Sequence, residues 1–153
     1  MRTVATADQT YLDPRALRSV YIHDARSRAF CAWRSRIRGA LPLTLFGRAE
    51  LVNSIALAMF RHDISSATGE AALQDLYEDI EQGRLYLTDL LWRQALDGCV
   101  ELSREQTPLL GTRTLDVLHV ASAQVLGCRR FVTYDARQAK LAQAVGLRVL
   151  SPA

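Results

Sequence analysis

Polar and apolar positions along this chain switch between two periods, and the switches define its elements. From Arg113 to Gly127 the apolar side chains return every three or four residues, at Leu115, Leu118, Ala121 and Val125, which predicts a helix. Thr112 or Thr114 suits its start and Gly127 its end. Residues 130–134 are short, β-branched and aromatic, and predict a strand. The same reading upstream gives a strand over 10–13, a helix over 15–22 after Pro14, and a helix over 25–38 with Ala29, Phe30, Trp33 and Ile37 on one face. A strand over 42–45 precedes a helix from Gly47 onward, whose apolar side is Leu51, Val52, Ile55, Ala56, Met59 and Phe60. Ser65 or Ser66 opens a helix to about Gln82, followed by a strand over 84–88 and a helix from Asp89 to about Arg104. Helix 138–145 and strand 147–150 close the chain.

Strands and helices thus alternate. Short strands joined by helical crossovers predict a parallel sheet covered on both faces, with right-handed connections. The expected fold is a three-layer α/β/α sandwich. At 153 residues and 49% hydrophobic composition, one domain over 1–153 is the simplest organisation, with 1–8 as a loose lead-in. No apolar run is long enough to span a bilayer, and the N-terminus lacks the apolar stretch of a signal peptide. Cys31, Cys99 and Cys128 are too scattered for a metal pair or a disulfide framework, which fits a reducing, cytoplasmic setting.

Charge is segregated. Up to His62 ten arginines face four acids, and from Asp63 to Glu101 nine acids face two arginines. That acidic middle reads as a solvated face or as a surface for a basic partner segment. All cations but Lys140 are arginine, a residue suited to bidentate phosphate contacts, although a GC-rich genome gives the same usage.

Four acids stand at strand–helix junctions: Asp13 ends the first strand, Glu50 lies early in the helix after the second, Asp116 opens a helix, and Asp135 follows the fourth strand. In a parallel sheet these junctions share one edge, where ligands bind. Two carboxylates about 4 Å apart repel by roughly 4 kcal/mol at an effective dielectric near 20. A group of four therefore calls for cations, and hard divalent ions such as Mg²⁺ or Mn²⁺ suit oxygen donors. Such an ion activates water for attack on phosphorus. Taken singly, each acid could equally be a helix cap.

These residues also carry a resemblance. Tyr11-Leu-Asp13 with Ala16-Leu17, Glu50-Leu-Val-Asn53, Arg113-Thr-Leu-Asp-Val-Leu-His-Val-Ala121 and Phe131-Val-Thr-Tyr-Asp135 resemble the signature blocks of PIN domains, nearest to VapC-type toxins of bacterial toxin–antitoxin pairs. The tail Ala142-Gln-Ala-Val-Gly-Leu-Arg-Val149 follows the same pattern, so the likeness covers nearly the whole chain. It implies a PIN-like fold and a metal-dependent endoribonuclease with Asp13, Glu50, Asp116 and Asp135 as catalytic and metal-holding acids. It also implies Mg²⁺ or Mn²⁺ as cofactor, RNA as substrate, a homodimer, and an antitoxin partner. Arg26, Arg28, Arg34, Arg36, Arg38 and Arg48 are candidates to guide the RNA backbone.

One position departs from the family. Arg15 stands where a Ser or Thr is usual, and Ser19 matches a common lysine. Arg15 either pairs with Asp13 or Asp135 and competes with the cation, or turns outward to a phosphate. An inward arginine favours a second reading, a weak or inactive PIN-fold module that binds RNA or protein. Around the acids, Arg113 is expected to orient Asp116 by an ion pair, and Thr133 to bond a carboxylate. His119, one turn beyond Asp116, reads better as a packed core residue than as a ligand. A phosphatase-type α/β hydrolase lacks support, because no strand ends in Asp-x-Asp.

Overall fold

The computed structural model describes residues 7–153. Five parallel strands, β1 (Thr10–Leu12), β2 (Leu41–Thr44), β3 (Leu85–Thr88), β4 (Arg130–Val132) and β5 (Arg148–Leu150), form the middle layer. Strand β1 pairs with β4 and β4 with β5, while β2 pairs with β3. Strands β1 and β2 lie against each other without a ladder between them. Pro42 supplies a reason. Leu41 donates to Arg84 on the β3 side, so the next residue's N–H would point toward β1, and proline has none.

Side chains alternate across this layer. On one face Leu12, Leu41, Leu43, Leu85 and Val132 form a core with α1 (Pro14–Tyr21), α2 (Ser27–Ser35), α3 (Leu45–Phe60) and α4 (Ser66–Glu81). On the other, Tyr11 and Phe131 pack with α5 (Trp92–Leu110), α6 (Thr114–Val125) and α7 (Ala136–Ala144). Tyr11 and Phe131 stack at 5.3 Å between ring centroids. The three-layer α/β/α sandwich expected from the periodicity is the fold observed.

Several boundaries differ from the sequence reading for local reasons. Of the expected lead-in, residues 1–6 lie outside the described ones, and Ala7–Gln9 makes a 3₁₀ turn tied by the Ala7 N–H to Arg38 O. Helix α5 starts at Trp92 and runs through Pro108 to Gly111, whose φ of 66° closes it in the left-handed region. Proline removes one donor near the end of that helix without ending it at once. Strand β4 stops at Val132, because the Thr133 hydroxyl accepts from the Asp135 N–H and starts the turn into α7. In α3, the expected apolar side divides: Leu51 and Ile55 are buried, whereas Val52, Ala56 and Phe60 face solvent. Leu115 of α6 is also exposed.

The start of α3 decides where Glu50 stands. Thr44, buried at the end of β2, caps the helix by accepting the Gly47 N–H at 3.0 Å. Thr44→Ala is expected to destabilise the fold by about 1–2 kcal/mol, the range for a lost threonine cap, as a lower urea midpoint at unchanged slope.

Candidate metal centre

All four predicted acids converge on the carboxyl edge of the sheet. Asp13 follows β1, and Asp135 follows β4, the strand paired with β1. Asp116 is in the first turn of α6, which follows helix α5 and not a strand, so it does not stand at the expected strand–helix junction; Glu50 comes from the second turn of α3. Local chemistry fixes each. Pro14 opens α1 directly after Asp13. Asp135 Oδ1 caps α7 by accepting the Arg137 and Gln138 N–H groups, both at 2.9 Å. Its Oδ2 is left facing the cleft.

Arg15 turns inward. Its Nε donates to Asp13 Oδ2 at 3.1 Å and its Nη2 to Asp116 Oδ1 at 2.5 Å, with Nη1 3.7 Å from Asp135 Oδ2. One planar guanidinium therefore spans three carboxylates, the geometry for which arginine is suited. Burial works against its charge, but Asp13, Asp116 and Asp135 outweigh it and push the Arg15 pKa up. The side chain keeps 46% exposure, so water screens these pairs. Arg15 also divides the cleft. On one side a cavity of about 230 Å³ is lined by Asp13, Arg15, Arg26, Tyr134 and Asp135. On the other, about 460 Å³ is lined by Arg15, Arg113, Asp116, Asp135 and Arg137.

Glu50 does not join that trio. Its Oε2 lies 2.6 Å from His119 Nε2, and His119 Nδ1 lies 2.7 Å from the Tyr11 hydroxyl. His119 is fully buried and stacks on Phe46 at 4.8 Å, so it is both core and site. Its burial agrees with the expected packing role, and the fold adds the contact with Glu50 by bringing α3 and α6 together at β1. One donor atom each from Asp13, Glu50 and His119 lies within 4.8 Å of the others. Asp13 is 1% exposed, and its Oδ1 is buried without a hydrogen-bond partner. Asp13 thus brings a carboxylate with one unmatched oxygen to a group that also holds a second carboxylate and an imidazole, a donor set that fits a divalent cation. Burial, opposed by His119 and Arg15, pushes the Asp13 carboxyl above the usual carboxylate range.

The remaining predicted residues divide by position. Arg113 makes no ion pair with Asp116 among the described residues. Its backbone N–H approaches Asp116 Oδ2 at 3.4 Å while its side chain lines the cleft. Thr133 bonds no carboxylate: it receives the Asp135 backbone N–H and donates to Gln138 Oε1 at 2.6 Å. Gln138, fully buried and missed in the sequence, continues to the Asp116 carbonyl at 3.4 Å and so joins the Asp116 and Asp135 turns. Its signal was a polar residue on the apolar side of α7.

Arg26 stays at the site, 4.3 Å above the Tyr134 ring and lining the cleft, and Arg48 is exposed near Glu50 on α3. Arg28 is exposed in the first turn of α2. Arg34, Arg36 and Arg38 lie at the opposite, amino end of the strands, before β2. Arg34 is spent on the Ile37, Gly39 and Arg84 carbonyls. Arg137, absent from the expected set, stands at the cleft instead.

The same fold is found in a known structure. Over 94% of this chain and 97% of the other, the fold is similar to the crystal structure of FitAcB from Neisseria gonorrhoeae, with a TM-score of 0.63. At 18% identity this likeness concerns the fold alone. No protein-family model matches the sequence, and no curated protein matches it significantly.

A carboxyl with a raised folded-state pKa favours folding at acid pH, and that contribution is lost as pH rises through this pKa. Asp13 therefore opposes folding at neutral pH. Asp13→Asn is expected to raise the melting temperature at pH 7 by roughly 2–4 °C, what ~1 kcal/mol is worth in a domain of this size. The gain should vanish at acid pH in calorimetric scans.

Proposed function

We propose that the chain is a divalent-metal-dependent endoribonuclease, the toxin of a toxin–antitoxin pair, restrained by Arg15. The observation that carries this reading is the gathering of Asp13, Glu50, Asp116 and Asp135 from four separate segments onto one sheet edge. The PIN-like signature blocks and the fold support it. RNA as substrate and an antitoxin as partner rest on the resemblance of those blocks to VapC-type toxins.

The acids would hold Mg²⁺ or Mn²⁺, which when bound acidifies a water for attack on phosphorus and stabilises the leaving oxygen. The chain's own residues do the rest. Asp13 supplies charge from a buried position and Glu50 from a half-buried one, and Gln138 and Thr133 fix the turns that present Asp116 and Asp135. Arg26, Arg113 and Arg137 line the cleft for a phosphate backbone, with Arg48 exposed on α3 near Glu50. Arg15 withdraws from the three aspartates to admit a cation, and in doing so can meet a phosphate. The acidic face of α4, with Asp75, Glu78 and Asp79 around a pocket beside Tyr21 and Arg84, suits a basic antitoxin segment.

Arg15 also favours the second reading, a PIN-fold module that binds RNA or protein without cutting. Cleavage of a mixed RNA pool by purified protein decides between them. With Mg²⁺ or Mn²⁺ we expect cuts that disappear with EDTA and in Asp116→Asn, and a rate roughly tenfold higher in Arg15→Ser, equivalent to about 1.4 kcal/mol. No cleavage by either wild type or Arg15→Ser, with RNA still retained by the folded protein in a filter-binding assay, would favour the binding module.

We propose that the chain forms a homodimer, a reading that its exposed apolar side chains support. Leu45, Val52 and Phe60 of α3 are exposed, and so are Leu91 and, on α5, Trp92, Leu96 and Val100. Phe46, at the start of α3, packs against Trp92, at the start of α5, with ring centroids 5.3 Å apart. Contiguous exposed apolar surface marks a protein interface. Light scattering is expected to give twice the chain mass for wild type and the single-chain mass for Leu96→Glu.

A further inference from the structure

The two sides of Asp13 are chemically different. Oδ2 faces Arg15, whose guanidinium also contacts Asp116 and Asp135. The other set, Asp13 with Glu50 and His119, contains a ring nitrogen and no arginine. Leaving a buried carboxylate oxygen such as Asp13 Oδ1 unmatched is costly, and a bound ion would remove that cost.

We propose that Asp13, Glu50 and His119 form a mixed carboxylate–imidazole site that selects a first-row transition ion such as Mn²⁺ or Co²⁺ over Mg²⁺. It rests on the reading above that this edge holds a cation, and specifies which residues hold it and which class of ion it takes. Mg²⁺ prefers oxygen donors in a strict octahedron and keeps its waters. The all-oxygen part of the cluster that would serve it, Asp13 with Asp116 and Asp135, is where the Arg15 guanidinium sits. Imidazole instead follows the rising affinity of the transition series.

The surroundings of His119 are those of a metal ligand. Donors about 2.1 Å from an ion stand roughly 3–3.5 Å apart, so the 2.6 Å contact between Nε2 and Glu50 Oε2 needs only a small opening. The Nε2 position is then free of hydrogen, and the imidazole proton resides on Nδ1, donated to the Tyr11 oxygen. That tautomer shift releases no proton. Tyr11 can receive it, because burial raises its pKa and keeps the phenol intact, with the Thr44 and Ser122 hydroxyls in reach of its own hydrogen. A ligating histidine held through its second nitrogen is the usual support of such sites. The stack of Phe46 on the ring fixes its plane. Asp13, Glu50 and His119 leave further coordination positions for water or a phosphate oxygen.

The full chain, stripped with EDTA, would be titrated calorimetrically with Mn²⁺, Co²⁺ and Mg²⁺ salts alone. Mn²⁺ and Co²⁺ are expected to bind at least tenfold more tightly than Mg²⁺. His119→Gln should lose roughly 10–100-fold in Mn²⁺ affinity, the scale for disturbing a metal site, with Mg²⁺ binding unchanged. Glu50→Gln should weaken Mn²⁺ similarly. In case His119→Gln does not fold, pulsed electron paramagnetic resonance of the wild-type Mn²⁺ complex should show coupling to a ring nitrogen. Equal affinity for Mg²⁺ and Mn²⁺, or a Mn²⁺ complex without nitrogen coupling, would overturn the proposal. RNA cleavage is a separate readout: nitrogen-ligated Mn²⁺ without cleavage keeps the site and removes the nuclease, and cleavage by Mg²⁺ without nitrogen ligation does the reverse.

Discussion

Like charge gathered at one sheet edge is the constraint on which this structure turns. Parallel strands deliver their carboxyl ends to the same place, and here Asp13, Asp116 and Asp135 arrive with Glu50 close behind. Each pair of neighbouring carboxylates would repel by a few kcal/mol near the protein surface. Arg15 answers three of them with one guanidinium, at contacts of 2.5, 3.1 and 3.7 Å. A single positive charge cannot balance three negative ones, so the edge remains cation-seeking.

That answer splits one acidic cluster into two half-sites sharing Asp13. The outer half is wet, divided by Arg15 and ringed by Arg26, Arg113 and Arg137. The inner half is dry and continuous with the core through Glu50, His119 and Tyr11, whose phenol stacks on Phe131 in the middle of the sheet. A buried polar line of this kind is expensive unless every member is satisfied. Asp13 Oδ1 is the member that is not. The fold thus keeps an unmet acceptor at the point where the two halves touch.

Rigidity around that point comes from elements rather than loops. Thr44 caps α3 and so sets the rotation that brings Glu50 inward, Asp135 caps α7, and Gln138 bridges Thr133 to the Asp116 carbonyl. Asp135 is therefore fixed by bonds two and three residues from itself, the turn before Glu50 by the Thr44 cap, and Asp116 by Gln138, 22 residues on. Capping and function are not alternatives at Asp135, since its two oxygens do one each.

What the sequence determined by itself is what depends on short range. Alternating periods set the five strands, the helices and their order, and parallel topology then placed Asp13 and Asp135 on one edge. Asp116, which follows helix α5 and not a strand, and Glu50, in the second turn of α3, reach that edge through helix packing. Boundaries slipped where one residue's chemistry outweighed the period, as where Thr133 ended β4 and where α5 ran on through Pro108. Tertiary structure alone decided the rest, because contacts across about a hundred residues leave no local trace. Arg15 reaching Asp116 and His119 reaching Tyr11 depend on α6 crossing behind β1. Arg34, Arg36 and Arg38 share α2 or its end with the same charge as Arg26, yet the strand that follows them starts at the opposite edge. Which half of α3's apolar surface is core was equally undecidable, since a helix records which residues are alike and only its neighbours determine which are covered.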